Sequence, residues 1–105
     1  MWETLKNTIE ASITDLRYCL KTECIPFNLI DTIETLEWII RYEPKNQVER
    51  DATIVTIRDC LDDLGVFIGI ADDADDEGLC KSMYFIKNSI YPAYLGWAND
   101  AVFSN

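Results

Sequence analysis

The sequence predicts an all-α fold, a small single-domain bundle of four to five amphipathic helices spanning residues 1–105. Three observations carry this expectation. Apolar residues recur at three- and four-residue spacing almost throughout. Glycine and proline together number seven and hydrophobic residues make up 49%, which fits an ordered globule and not a disordered chain. A chain of this length buries roughly two-thirds of its unfolded surface, enough for one hydrophobic core.

Taken in order, Trp2, Leu5, Ile9, Ile13, Leu16 and Leu20 step by three or four and predict a first helix of about five turns. The segment from Glu23 to Pro26 breaks it. A second helix carries Leu29, Ile33, Leu36 and Ile40 on one stripe. Asn28 is its candidate cap, Asp31 suits its positive dipole end, and Pro44 ends it. Asn46 and Glu49 have capping-box spacing and open a third helix. Its stripe is Ile54, Ile57, Leu61 and Leu64, and Gly65 is the expected stop. The run Val66-Phe67-Ile68-Gly69-Ile70 reads as a buried irregular segment, a short strand or a continuation of the third helix; left exposed, it is a dimer contact. A fourth helix carries Leu79, Met83, Ile86 and Ile90. Pro92 kinks or ends it, and residues 94–103 are expected as a short fifth helix packing its aromatics back onto the body.

Charge is distributed unevenly. The chain nets −10, yet residues 59–77 alone hold eight carboxylates and no Lys or Arg: Asp59, Asp62, Asp63, Asp72, Asp73, Asp75, Asp76 and Glu77. Such a surface repels nucleic acid and anionic lipid and attracts basic proteins. Direct nucleic-acid binding is therefore not expected, since it needs a basic stripe. Neither is membrane insertion, because the longest apolar run, Leu64 to Ala71, is far short of the ~20 residues a span takes. Met1-Trp2-Glu3-Thr4 lacks the basic-then-apolar pattern of a signal peptide, so a soluble, cytoplasmic protein with free thiols is expected. Asp59, Asp62 and Asp63 lie at i, i+3 and i+4, on one face and toward the negative dipole end of a helix stopping at Gly65. Both placements oppose helix stability, and such violations gather at functional positions.

Catalytic motifs are weak. There is no histidine, hence no Ser–His or Cys–His pair and no imidazole acid–base group. No glycine-rich phosphate loop occurs. A carboxylate pair working as in glycoside hydrolysis needs a cleft, which so small a bundle rarely forms. Asp72-Asp73-Ala74-Asp75-Asp76 matches the DDxxD string of prenyl-diphosphate enzymes, but the chain has no second acidic motif and no room for their apolar cavity. Asp73, Asp75, Glu77 and Gly78 match the first positions of an EF-hand calcium loop, yet Lys81 and Tyr84 stand at positions 9 and 12, where the bidentate Glu belongs. The spacing of Cys19, Cys24, Cys60 and Cys80 matches no zinc knuckle, and Cys60 reads as a small core residue. No catalytic residue, metal or cofactor is expected.

Aromatic residues off the core stripes are more informative. Trp38 lies opposite the second helix's stripe and shares a face with Asp31, Glu34 and Tyr42; Tyr84 and Tyr91 lie one i+7 step apart off the stripe of the fourth. Trp and Tyr are the side chains that dominate interface energetics. The expected function is accordingly a small acidic inhibitor that binds the basic nucleic-acid-handling surface of a protein partner, such as a nuclease toxin or a defence effector. In size, helical class and charge the chain looks like colicin-nuclease immunity proteins and DNA-mimic antirestriction proteins, without a motif of either; a phage anti-CRISPR role is the second form. The alternative is a helical adaptor or homodimerising accessory module whose acidic segment serves solubility alone.

Overall fold

The computed structural model describes the backbone of residues 1–22 and 29–103, and the side chains of residues 1–21 and 29–99. The expected break from Glu23 to Pro26, the Asn28 cap and Cys24 lie outside the described residues. Four helices are present, α1 Trp2–Thr22, α2 Leu29–Arg41, α3 Gln47–Asp73 and α4 Glu77–Phe103, with no strand among the described residues. Packing joins α1 to α2, α2 to α3, α3 to α4 and α4 back to α1, whereas the pairs α1/α3 and α2/α4 do not meet. The helices therefore stand at the corners of a square, up and down in turn, in a body 46 Å long and about 20 Å across. One end holds the α3–α4 corner; the other holds Trp2 and Trp97, whose rings sit 5.6 Å apart.

The core follows the expected stripes with small rotations. Leu5, Ile9, Ile13 and Leu16 are buried on α1, as are Leu29, Ile33 and Leu36 on α2. Cys19 takes the place expected of Leu20, and Ile39 that of Ile40; the displaced leucine and isoleucine pack half-buried at the core's edge. Ser12 and Thr32 are buried too. Ser12 donates its hydroxyl to the Thr8 carbonyl at 2.8 Å, so its burial strands no donor. Across the α1–α2 seam, Arg17 pairs with Glu37 at 2.7 Å, partly exposed and so worth at most about 1 kcal/mol.

The N-terminus of α3 is capped as expected. Asn46 is extended at φ −147°, ψ 174°, and its Oδ1 accepts from the Glu49 N–H at 2.9 Å. Glu49 reaches back to the Lys45 N–H at 3.1 Å and to the Asn46 amide at 2.9 Å, closing the box one residue earlier than usual. Two boundaries are corrected. Gly65 does not stop α3, because no glycine adopts a positive φ and the stripe Ile57, Leu61, Leu64 runs on through Phe67 and Ala71. The 66–70 run is the helical continuation: Phe67 is buried, Ile68 and Ile70 are half-buried, and Val66 and Gly69 face outward. Nor does Pro92 end α4, and there is no separate fifth helix. The stripe Ile86, Ile90 carries on to Tyr94 and Trp97. Pro92 is exposed, so its ring lies away from the core and the break in hydrogen bonding is confined to the solvent side.

Candidate functional site

The acidic segment separates into two clusters. The first surrounds the α3–α4 corner, three residues long. Asp75 takes a left-handed φ of 56°. Its N–H donates to the Asp72 carbonyl at 3.0 Å, and the Asp76 N–H donates to the Ala71 carbonyl at 2.9 Å. These two bonds form a Schellman motif, with Asp where glycine is usual. Asp76 also begins the next helix: its Oδ1 accepts from the Leu79 N–H at 3.1 Å and its carbonyl from the Cys80 N–H at 2.9 Å. One aspartate thus closes α3 and caps α4. Glu77 stands in the first turn of α4, where the dipole favours it. Asp72 and Asp73 occupy the last turn of α3, where the dipole opposes them, and local structure gives them no role. Asp72, Asp75, Asp76 and Glu77 rim a shallow depression of about 280 Å³ with Cys80 and Lys81.

This geometry removes the calcium-loop reading. Glu77 and Gly78 are helical, and only Ala74, Asp75 and Asp76 separate α3 from α4, so no twelve-residue loop exists to wrap an ion. Among the described residues no three carboxylate or thiol side chains converge on one point.

The second cluster is on the middle of α3. Because α3 extends to Asp73, Asp59, Asp62 and Asp63 are mid-helix and not at its negative end. All three are exposed, but they do not share one face. Asp62 turns toward α4, lining a groove with Arg58, Leu61, Lys87 and Tyr91. Asp63 turns toward α2, where its Oδ2 accepts from the Thr32 hydroxyl at a long 3.5 Å. Asp59, one turn before Asp63, follows it. Cys60 is buried between them; burial pushes its thiol up to about 12, with the charges of Asp63 and Asp59 adding to the effect. Asp59 and Asp72 are about 20 Å apart along the helix axis, at ~1.5 Å per residue. That exceeds the ~8 Å Debye length of physiological salt, so the two clusters act as separate sources of field.

The α2 residues form a group of their own. Trp38 is 56% exposed and Tyr42 59% exposed, and their rings meet at 5.3 Å and 49°. No neighbouring helix covers them. Asp31, Glu34, Thr35 and Trp38 line one open depression of about 330 Å³. Thr32, which reaches Asp63, marks the α2/α3 seam, and Asp31 and Glu34 stand outside it on the exposed face of α2. The result is a helix face bearing an aromatic pair set among carboxylates.

Tyr84 and Tyr91 are also exposed, but they belong to α4, diagonally across the square from α2. They cannot join Trp38 in one flat contact. Tyr91 lies 6.4 Å from Tyr94, whose hydroxyl is pushed up by burial, with Arg58 opposing and Tyr91 adding. Sequence reasoning missed Leu95, exposed in the groove with Tyr91 and Asp62, and Phe85, exposed on the α1 side of α4 beside Tyr18. It also missed the capping role of Asp76; the signal was an aspartate three residues ahead of the first core leucine of α4. Among the described residues, no helix is long and apolar enough to cross a membrane. Comparison with protein-family models, with curated proteins and with solved structures returns no match.

Proposed function

We propose that this protein is a small acidic inhibitor that docks its α2/α3 face onto the basic, nucleic-acid-handling surface of a protein partner and occludes it. Immunity against a nuclease toxin and disarming of a defence effector are the two biological forms of one mechanism. The observation that supports the reading is the uncovered Trp38–Tyr42 pair beside Asp31 and Glu34, with Asp63 joined to the same helix through Thr32. A half-exposed tryptophan keeps apolar area in water that burial would release, and aromatic anchors of this kind dominate protein interfaces. Carboxylates around it take the positions phosphates occupy against a basic groove. They raise the association rate and select the partner more than they set final affinity.

The test is capture from the native host with the immobilised full chain, mass-spectrometric identification, and titration of the captured protein's nuclease activity. The expected result is a basic nucleic-acid-processing protein, inhibited stoichiometrically by the parent and released by either Trp38→Ala or the triple change Asp31→Asn, Asp59→Asn, Asp63→Asn. Retention of every captured protein by both variants contradicts the proposal.

A further inference from the structure

The groove between α3 and α4 has a volume of about 640 Å³, roughly twice that of the depression beside Trp38. Sites for small ligands fall in this size range and combine an apolar lining with a few placed charges. The lining here is the buried Leu61 and Tyr94, with Tyr91 and Leu95 partly exposed above them. The charges are Arg58, Asp62 and Lys87.

The helices set these charges in order. Arg58 and Asp62 are one turn apart on α3, about 6 Å along its axis. Lys87 crosses from α4, and its Nζ lies 3.1 Å from where a Gly65 side chain would begin. Gly65 follows Asp62 by most of a turn, so the groove reads cation, carboxylate, cation along α3. Glycine weakens a helix interior, and Gly65 has no positive φ to require it. The space it leaves open is where the Lys87 ammonium lies. None of the three charges is paired with another within 4.0 Å. Because α3 and α4 run antiparallel, Tyr91 and Leu95 stand at the levels of Asp62 and Arg58.

Charge decides which occupant fits. A simple anion suits Arg58 but meets Asp62 beside it and a net −10 at longer range. A simple cation suits Asp62 and meets Arg58 and Lys87. An uncharged apolar molecule strips water from all three and returns nothing. A zwitterion with an apolar side chain answers both signs, adds no net charge for the acidic chain to repel, and covers the exposed ring of Tyr91.

We propose that the α3–α4 groove is a binding site for a free aromatic α-amino acid, with its carboxylate on Arg58, its ammonium on Asp62 and its ring against Tyr91 and Leu95. The guanidinium fork matches a carboxylate with two parallel hydrogen bonds. Ring on ring, Tyr91 offers an offset stack. Lys87 closes the groove at the end nearer the α3–α4 corner. The site is separate from the Trp38 face and requires no protein partner.

NMR titration of the isotope-labelled full chain tests this, with L-phenylalanine as the probe. It is expected to bind one-to-one with a Kd of about 1 mM or tighter, shifting signals of the groove. N-acetyl-L-phenylalanine and L-phenylalaninamide each lose one charge and stand for the carboxyl and amino ends of a peptide; glycine keeps both charges and loses the ring. Each is expected to bind about tenfold more weakly or worse. Asp62→Asn and Arg58→Gln, both at exposed positions, are expected to lose the same factor with unchanged circular dichroism. Asp62→Asn further brings L-phenylalanine down to the affinity of its N-acetyl derivative, which assigns the ammonium to that carboxylate, whereas Asp73→Asn leaves binding as in the parent. Absence of shifts at about 10 mM L-phenylalanine, or equal affinity of the parent for the N-acetyl derivative, overturns the proposal and leaves the Trp38 reading untouched.

Discussion

Cys60 shows how one residue reports on the acidic cluster and on folding together. Its thiol is 3% exposed and raised from 9.0 to about 12 by burial, then by Asp63 and Asp59. The folded state holds the proton more tightly than the unfolded state does. Stability from this group is therefore fully present below pH 9.0 and is lost as pH rises toward 12. Comparing denaturant unfolding of the parent and Cys60→Ala across this window isolates the contribution, which is expected to fall by about 1.4 kcal/mol per pH unit in the parent alone. Trp38→Ala is expected to leave thermal stability nearly unchanged, because the ring is uncovered, while costing about 2 kcal/mol or more in binding of the proposed partner. Equal losses in both measurements would place Trp38 in the fold and not in an interface.

At the scale of the element, the α3–α4 corner separates carboxylates with a structural task from those without one. Asp76→Ala removes the α4 cap and is expected to destabilise by about 1 kcal/mol in chemical denaturation. Asp75→Gly relieves the left-handed backbone and is expected to stabilise by a few tenths to about 1 kcal/mol. Asp72→Asn with Asp73→Asn, at the negative end of α3, is expected to stabilise by about 0.3–1 kcal/mol each at low salt. A loss of stability there would give those two aspartates a structural role after all.

The same two helices mark what the sequence makes legible. Capping at Asn46 and the stripes of α1 and α2 follow from local spacing, because neighbouring residues decide them. The end of α3 does not, because Gly65 terminates a helix only if it turns left-handed, and Phe67 and Ala71 hold it in line by packing into the core. Pro92 is similar: whether it breaks α4 depends on which way its ring points, and that is settled by the burial of Tyr94 and Trp97. The candidate site was readable as residue types, since Trp38, Asp31 and Glu34 do share an exposed face. Its division was not. Asp62 parts from Asp59 and Asp63 only because α4 lies on one side of α3 and α2 on the other.

For the molecule as a whole, the square arrangement sets the exposed Trp38–Tyr42 pair of α2 and the exposed tyrosines of α4 on opposite corners. The α2 corner groups Trp38 with Asp31 and Glu34, while Tyr91 and Leu95 of α4 share a groove with Arg58, Asp62 and Lys87. The net charge of −10 acts at long range on any approaching basic surface, and the helix faces decide where it comes to rest. The most direct test of this account is the association rate of the parent and of the Asp31→Asn, Asp59→Asn, Asp63→Asn variant with the captured basic partner, measured over a range of ionic strength. The account predicts a rate that falls steeply with salt in the parent, a slower and flatter profile in the variant, and dissociation rates that differ little between them. Equal association rates with the same salt dependence would contradict it.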